Sequence, residues 1–493
     1  MQIVNQESWM RMARLFYRGR FLSMISILLV GVSVQPGPLR SAELSGTPVE
    51  ATVAAQSIPN SAGLETAIVL SNQATIERGR RHFELSASLL DKAYSIIQGI
   101  QNSQNPLPPV AGAILVNVGL SKQTHGKYEE ARQLYERASI LIEQSPGKQS
   151  EDYAKLLKDW ALLDFEAGKT EEALSKDQKA VAIENSLSFV SGEDRALTFN
   201  NLGLALEAAG RTSEAESAFL QSITLRRKET TRPNVELAQT LDNLAALKRG
   251  SGRLEEARGH EIEALAIVES GEMEGDPIVA TFWNNLGMIE FARNKMPEAR
   301  KQFDKAAALW LKTVGPEHPS RAAALSNIAS IDSKQGHHKA AQGLYEQALK
   351  INESWYGPSH PAVASNLCNI GAELFHQKHF DDSLGHYKRC EQIYREFSGE
   401  RSLQTAQVRH NMAVVFVAAK RASEAQTSFR DAIQSLEAAA GPDAPMLSSW
   451  LHEYAMLLKT EQHFAEAEEA EVRALGIEVR NTIKANRSTT GTG

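Results

Sequence analysis

Seven asparagines, Asn117, Asn201, Asn243, Asn285, Asn327, Asn369 and Asn411, recur at intervals of 42 or 84 residues. A carboxamide carries N–H donors and an acceptor oxygen, the complement of a peptide group. A row of them could bond the backbone of an extended segment without demanding particular side chains. Asparagine costs roughly 0.6 kcal/mol relative to alanine inside a helix, so its repetition needs a cause. A second cause serves equally well, with each carboxamide bonding across to a neighbouring helix or loop. Both readings stay open at the level of sequence.

Other candidate chemistry is incomplete. Gly168-Lys169-Thr170 resembles the end of a phosphate-binding loop, but Leu163 stands where the earlier glycine is needed. His260-Glu261 and His452-Glu453 open a zinc-protease pattern without the second histidine that would put two ligands on one helix face. No Gly-x-Ser-x-Gly elbow or Cys-x-x-Cys pair occurs. The expectation is a chain with no catalytic residues, no cofactor and no metal, and therefore not an enzyme. Cys368 and Cys390 could pair in an oxidising compartment, although Cys390 falls where other repeats carry alanine and reads equally as a small buried residue.

The elements that would position the asparagines follow from a period of 42. Ala131, Ala173, Ala215, Ala257, Ala299, Ala341, Ser383, Ala425 and Ala467 share one register, and Ala138, Ala180, Ser222, Ala264, Ala306, Ala348, Cys390, Ala432 and Ala474 follow seven residues on. These rows lie two turns apart on one helical face, where small side chains let a neighbouring helix approach. A third small row, Gly119 to Ala455, is preceded residue by residue by larger apolar ones such as Leu202, Leu286 and Ile370. Gly126, Gly168, Gly210, Gly252, Gly336 and Asn294 stand between the two helices, where a left-handed residue ends the first. Gly315-Pro316-Glu317-His318-Pro319 and Gly357-Pro358-Ser359-His360-Pro361 occupy equivalent links to the next repeat, with proline in the first helical turn and histidine expected to cap and pack the loop. Each repeat reads as helix, turn, helix, Pro-containing loop.

This pattern resembles tetratricopeptide repeats, especially the 42-residue variety typified by kinesin light chains; Asn200-Asn201-Leu202-Gly203 with Gly210, Ala215 and Ser222 is one matching block. Lys378, Lys420 and Gln462 depart from the turn glycine, and Asp159 and Glu453 from the asparagine. The resemblance implies an all-α fold, a right-handed α-solenoid of antiparallel helix pairs forming a superhelix. It also implies first helices lining a concave groove, where the seven asparagines contact a bound peptide. Four residues before them stand Ala113, Lys155, Leu197, Gln239, Thr281, Ala323, Ser365, Gln407 and Ser449, too mixed for a strongly charged carboxylate clamp. Protein or peptide segments, neutral or mildly polar, are the expected partners.

The opening of the chain differs from the rest. Basic residues between Arg11 and Arg20 precede an apolar run, Phe21 to Val34, broken by Gln35-Pro36-Gly37-Pro38, the layout of a secretory signal. The expected organisation is a signal peptide or membrane anchor over 1–42 and a flexible spacer over 43–62. A degenerate helix pair over 63–100, nine repeats over 108–483 and a flexible tail over 484–493 would follow. Net charge is −7, and residues 1–42 contribute +4 of it, leaving −11 for the remainder. Such an acidic body repels phosphate backbones, so nucleic acid is not an expected partner. Export to the periplasm or the exterior is the expected localisation, with a membrane-anchored assembly factor as the alternative if residues 21–34 stay in place.

Overall fold

The computed structural model describes residues 61–79, 82–102, 106–229, 235–269 and 275–490. Among them all regular structure is helical. Contacts divide the chain into two compact units, residues 1–272 and 273–493. The N-terminal unit holds α1 (Ser61–Gly79), α2 (Phe83–Asn102), α3 (Ala111–Thr124), α4 (Tyr128–Gln144), α5 (Glu151–Glu166), α6 (Thr170–Ser186), α7 (Gly192–Ala208), α8 (Thr212–Glu229), α9 (Val235–Gly250) and α10 (Leu254–Glu269). The C-terminal unit holds α11 (Pro277–Ala292), α12 (Met296–Thr313), α13 (Pro319–Lys334), α14 (His338–Tyr356), α15 (Pro361–His376), α16 (Phe380–Ser398), α17 (Leu403–Ala418), α18 (Ala422–Ala440), α19 (Pro445–Thr460) and α20 (Phe464–Thr490). Within each unit, consecutive helices pack as pairs and the pairs stack on their neighbours. The fold is an all-α solenoid.

The small-residue rows explain the pairing. Ala131, Ala173, Ala215 and Ala257 in one unit, and Ala299, Ala341, Ser383, Ala425 and Ala467 in the other, are fully buried. The third small row meets an aromatic ring from its own partner helix: a Cβ at Gly203 would lie 2.6 Å from the Phe219 ring, and one at Gly287 2.6 Å from the Phe303 ring. Alanine replaces glycine at Ala161, Ala245 and Ala455, in register with the acids Asp177, Glu261 and Glu471, and also at Ala329 and Ala413, in register with Tyr345 and Phe429.

Local caps set the helix starts. Ser150, Ser191 and Ser402 accept the backbone N–H three residues on, and Asp276 accepts that of Ile278. His318 and His360 do the same with an imidazole, their Nδ1 atoms accepting from Ser320 N at 3.2 Å and Ala362 N at 3.1 Å. Pro319 and Pro361 follow directly, in the turn where a missing N–H costs no helical bond.

The departures from turn glycine do not change the turn. Lys378, Lys420 and Gln462 take φ of 65°, 59° and 61°, in the same left-handed region as Gly210 at 75°. A side chain there costs roughly 1 kcal/mol that glycine does not. Lys420→Gly should therefore raise stability by about 0.5 to 1 kcal/mol, read by denaturant unfolding; an unchanged or lowered midpoint would contradict this account of the turn.

Two boundaries differ from expectation or lie out of reach. The last helix continues to Thr490 through residues expected to be a loose tail, because Lys484 to Thr490 contain no glycine or proline to stop it. Residues 1–42, read as a signal, lie outside the described residues, as does nearly all of the spacer. Among the described residues no helix is long and apolar enough to cross a membrane.

Candidate protein-binding face

All seven row asparagines sit in the middle of first helices: Asn117 on α3, Asn201 on α7, Asn243 on α9, Asn285 on α11, Asn327 on α13, Asn369 on α15 and Asn411 on α17. Asn117 and Asn243 are buried and the other five half-buried. Much of the row is spent within the protein. Asn243 Nδ2 donates to Asn200 Oδ1 at 3.0 Å, and Asn327 Nδ2 donates to Asn284 Oδ1 at 2.8 Å, each acceptor lying 43 residues earlier on the preceding first helix. Asn117 Nδ2 donates to Ser71 Oγ at 2.9 Å. That partner is 46 residues away, the same three-residue excess that offsets the first helix pair from the 42-residue period. Glu453, which replaces asparagine on α19, keeps the connection by bonding His410 at 2.9 Å.

The two acceptors belong to a column that sequence reasoning passed over: Lys158, Asn200, Asp242, Asn284, Ser326, Cys368, His410 and His452 stand directly before the asparagine register. Its near-continuous polarity was the available signal. Asn366 was also missed, and it links Asn352 and Ser326, accepting from the first at 2.7 Å and donating to the second at 3.0 Å.

Among the described residues, buried charged side chains are more numerous in the N-terminal unit. Lys155 Nζ donates to Asn117 Oδ1 at 2.9 Å, so the lysine and the asparagine expected to line one face do meet. Burial pulls the Lys155 ammonium and the Arg78 guanidinium down and pushes the Asp159 carboxyl up from their ordinary ranges. Lys158 pairs with Glu184 at 2.9 Å, both buried, while Asp177 on the same helix face as Glu184 is pushed well up by burial.

Glu166 gives this unit a measurable pH response. Its Oε2 accepts from Gln123 Nε2 at 3.1 Å, Gln123 Oε1 accepts from Tyr135 Oη at 2.9 Å, and burial pushes the carboxyl up to about 7. The folded state therefore favours the protonated acid. That contribution is fully present below the unfolded value near 4.5 and is lost as pH rises to about 7. Glu166→Gln should be about 1 to 3 kcal/mol more stable than the native chain at pH 8 and nearly equal at pH 4.5. Equal stability at both values would show that Glu166 is not held in its protonated form.

In the C-terminal unit Cys368 on α15 and Cys390 on α16 form a disulfide, with Cα atoms 5.8 Å apart. Both residues are buried. His318 and His360 serve as caps, and among the described residues no group of three or more His, Cys, Asp or Glu side chains converges as for a metal ion.

Stacked helix pairs with a recurring polar row on their first helices define a repeat scaffold, a class built to present extended surfaces to protein partners. The tetratricopeptide repeat model matches residues 110–186, 193–270, 278–354, 343–396 and 362–438, and a second tetratricopeptide repeat model matches 244–310. The chain belongs to the tetratricopeptide repeat family. Among solved structures it is similar to the apo form of RapI, at 13% identity and TM-score 0.53 over 76% of this chain and 98% of that one. It is also similar to the apo form of the quorum sensor NprR from B. thuringiensis, at 11% identity and TM-score 0.51 over 74% and 97%. Putative kinesin light chain TPR-like repeats of Podosopora anserina match at 23% identity and TM-score 0.37 over 42% of this chain and 98% of that one. No curated protein matches the chain.

Proposed function

We propose that this protein is an exported scaffold that binds extended protein or peptide segments along the first-helix face of its repeats. The observation that carries the reading is the asparagine row itself, half-buried at Asn201, Asn285, Asn327, Asn369 and Asn411, on helices whose neighbours repeat the same chemistry. A half-buried carboxamide can exchange water for a peptide group at little cost, which suits recognition of backbone more than of side chains. The inter-repeat bonds favour a division of labour, in which part of the row holds the repeats in register.

Export is supported by the basic and apolar opening of the chain, Arg11 to Val34, and by the pairing of its only two cysteines, which suits an oxidising compartment. The acidic remainder argues for protein rather than nucleic acid as partner. If residues 21–34 are retained, the same repeats would act as a membrane-anchored assembly factor.

Two measurements test the reading. A reporter active only outside the cytoplasm should work behind residues 1–60 and lose activity when Phe21 to Val34 is deleted; equal activity in both would sink export. Selection of random twelve-residue peptides on the purified protein should return specific binders, and their failure to appear would count against the peptide-binding face.

A further inference from the structure

The terminal unit of a solenoid ordinarily turns a polar face outward, because that face meets water instead of another repeat. The last described helix departs from this rule. Val472, Leu475, Val479 and Ile483 on α20 are between 46% and 63% exposed, and their spacings of three and four residues align them as one apolar stripe. The stripe replaces charge. In the register of Val472 the three preceding second helices carry Glu346, Lys388 and Arg430, and in that of Val479 they carry Glu353, Arg395 and Glu437. Leu475 is the counterpart of Ile433, which is buried on α18. Gly357, Gly399 and Gly441 end α14, α16 and α18 in the register of Ile483, whereas α20 runs on for 27 residues, against 16 to 19 in the other helices of its unit. The helix is both lengthened and made apolar on an open face.

Charge selects what covers that face. Glu466, Glu468, Glu469 and Glu471 lie in the first two turns of α20, and Arg480, Lys484 and Arg487 lie in its second half, with Arg473 and Glu478 offsetting each other. We propose that α20 pairs antiparallel with α20 of a second copy of this chain, stripe against stripe. That direction sets the acidic start of each helix beside the basic end of the other, while a parallel pair would oppose like charges. One self-complementary surface then serves both copies about a two-fold axis. With the axis beside Ile477, Val472 meets Ile483 and Leu475 meets Val479. A lipid surface fits less well, since helices that lie on anionic lipid carry lysine and arginine beside the apolar face, and Glu471 and Glu478 flank this one.

The test is sedimentation equilibrium of the purified protein, which should pass from monomer to dimer over roughly 1 to 100 µM, as small interfaces do. The double variant Val472→Arg with Val479→Glu gives α20 the residues that α18 carries at Arg430 and Glu437, so folding is kept. It should dimerise at least about a hundredfold more weakly at an unchanged melting temperature. A native chain that stays monomeric at about 100 µM, or a variant that dimerises equally well, would overturn the proposal. Both proteins share residues 1–60, so association through that segment would leave them equal. A monomer that sediments with anionic vesicles, and no longer does so as the double variant, would overturn it in favour of a lipid surface. Direction is read by a spin label at Glu468→Cys, the native cysteines being joined to each other. Antiparallel helices place the two labels about 30 Å apart, from the rise per residue and the spacing of packed helices. A distance of about 10 to 15 Å would mean parallel helices and overturn the arrangement. Glu468→Lys with Glu469→Lys should weaken the dimer about tenfold at low salt and match the native chain at about 0.5 M salt. An effect that salt does not remove would contradict the charge pairing.

Discussion

Removing the cross-link between α15 and α16, as in the Cys368→Ala, Cys390→Ala variant, should destabilise that helix pair by about 3 kcal/mol, the loop-closure value for two positions separated by 22 residues. A stacked array does not unfold as one unit, so the loss should be read locally, by native-state hydrogen exchange of amides in α15 and α16. Those amides should exchange about a hundredfold faster in the variant, and a reducing agent should accelerate them in the native chain alone. Exchange that is the same in both proteins and indifferent to reductant would mean that the two sulfurs are not joined in solution.

Gly287→Leu should be the most disruptive single change in the C-terminal unit. The first side-chain carbon alone would stand 2.6 Å from a Phe303 ring carbon, and Phe303 is buried. Overpacking of this kind costs about 3 kcal/mol at the upper end of its range, because two helices must separate. Phe303→Ala costs stability on the native background by leaving a cavity, yet on the Gly287→Leu background it should recover part of the loss. That opposite sign is the signature of a direct clash and is measured by a double-mutant cycle. Additive losses in the cycle would place Gly287 and Phe303 out of contact and break the pairing of small row with aromatic row.

The fold was legible because the constraint on a repeat is local and recurs. A residue that lets a helix approach must be small in every repeat, so Ala257, Ala299 and Ala341 announce their positions without reference to anything else. The turn was legible where glycine marks it and obscured at Lys378, Lys420 and Gln462, where the backbone keeps the left-handed conformation and bears the strain. The disulfide was legible only as one of two readings. Cys390 occupies an alanine column and Cys368 a polar one, so the period explains each cysteine separately and says nothing of their proximity.

The asparagine row illustrates a deeper limit. Its recurrence shows that a function is repeated, but the choice between holding repeats together and holding a ligand depends on the residue 43 places earlier. That residue is polar along most of the column and changes identity from repeat to repeat: asparagine before Asn243 and Asn327, lysine before Asn201, a bonded sulfur before Asn411. One period therefore carries more than one bonding arrangement. Buried acids were hidden for a related reason, since Asp177 and Glu261 stand in a column that carries Tyr135, Phe219, Phe303, Tyr345, Tyr387 and Phe429 in six of its nine places, and burial of a carboxylate runs against what composition suggests.

The central claim, that an extended segment lies along the first helices, is tested most directly by where a bound peptide can be captured. A photoreactive side chain placed at Ser365, four residues before Asn369 on α15, is compared with one at Gln392 on the exposed side of α16. With a library-selected peptide bound, irradiation should join peptide to protein from position 365 and leave position 392 unmodified. Capture from position 392 with none from 365 would place the ligand on the second helices and contradict the account.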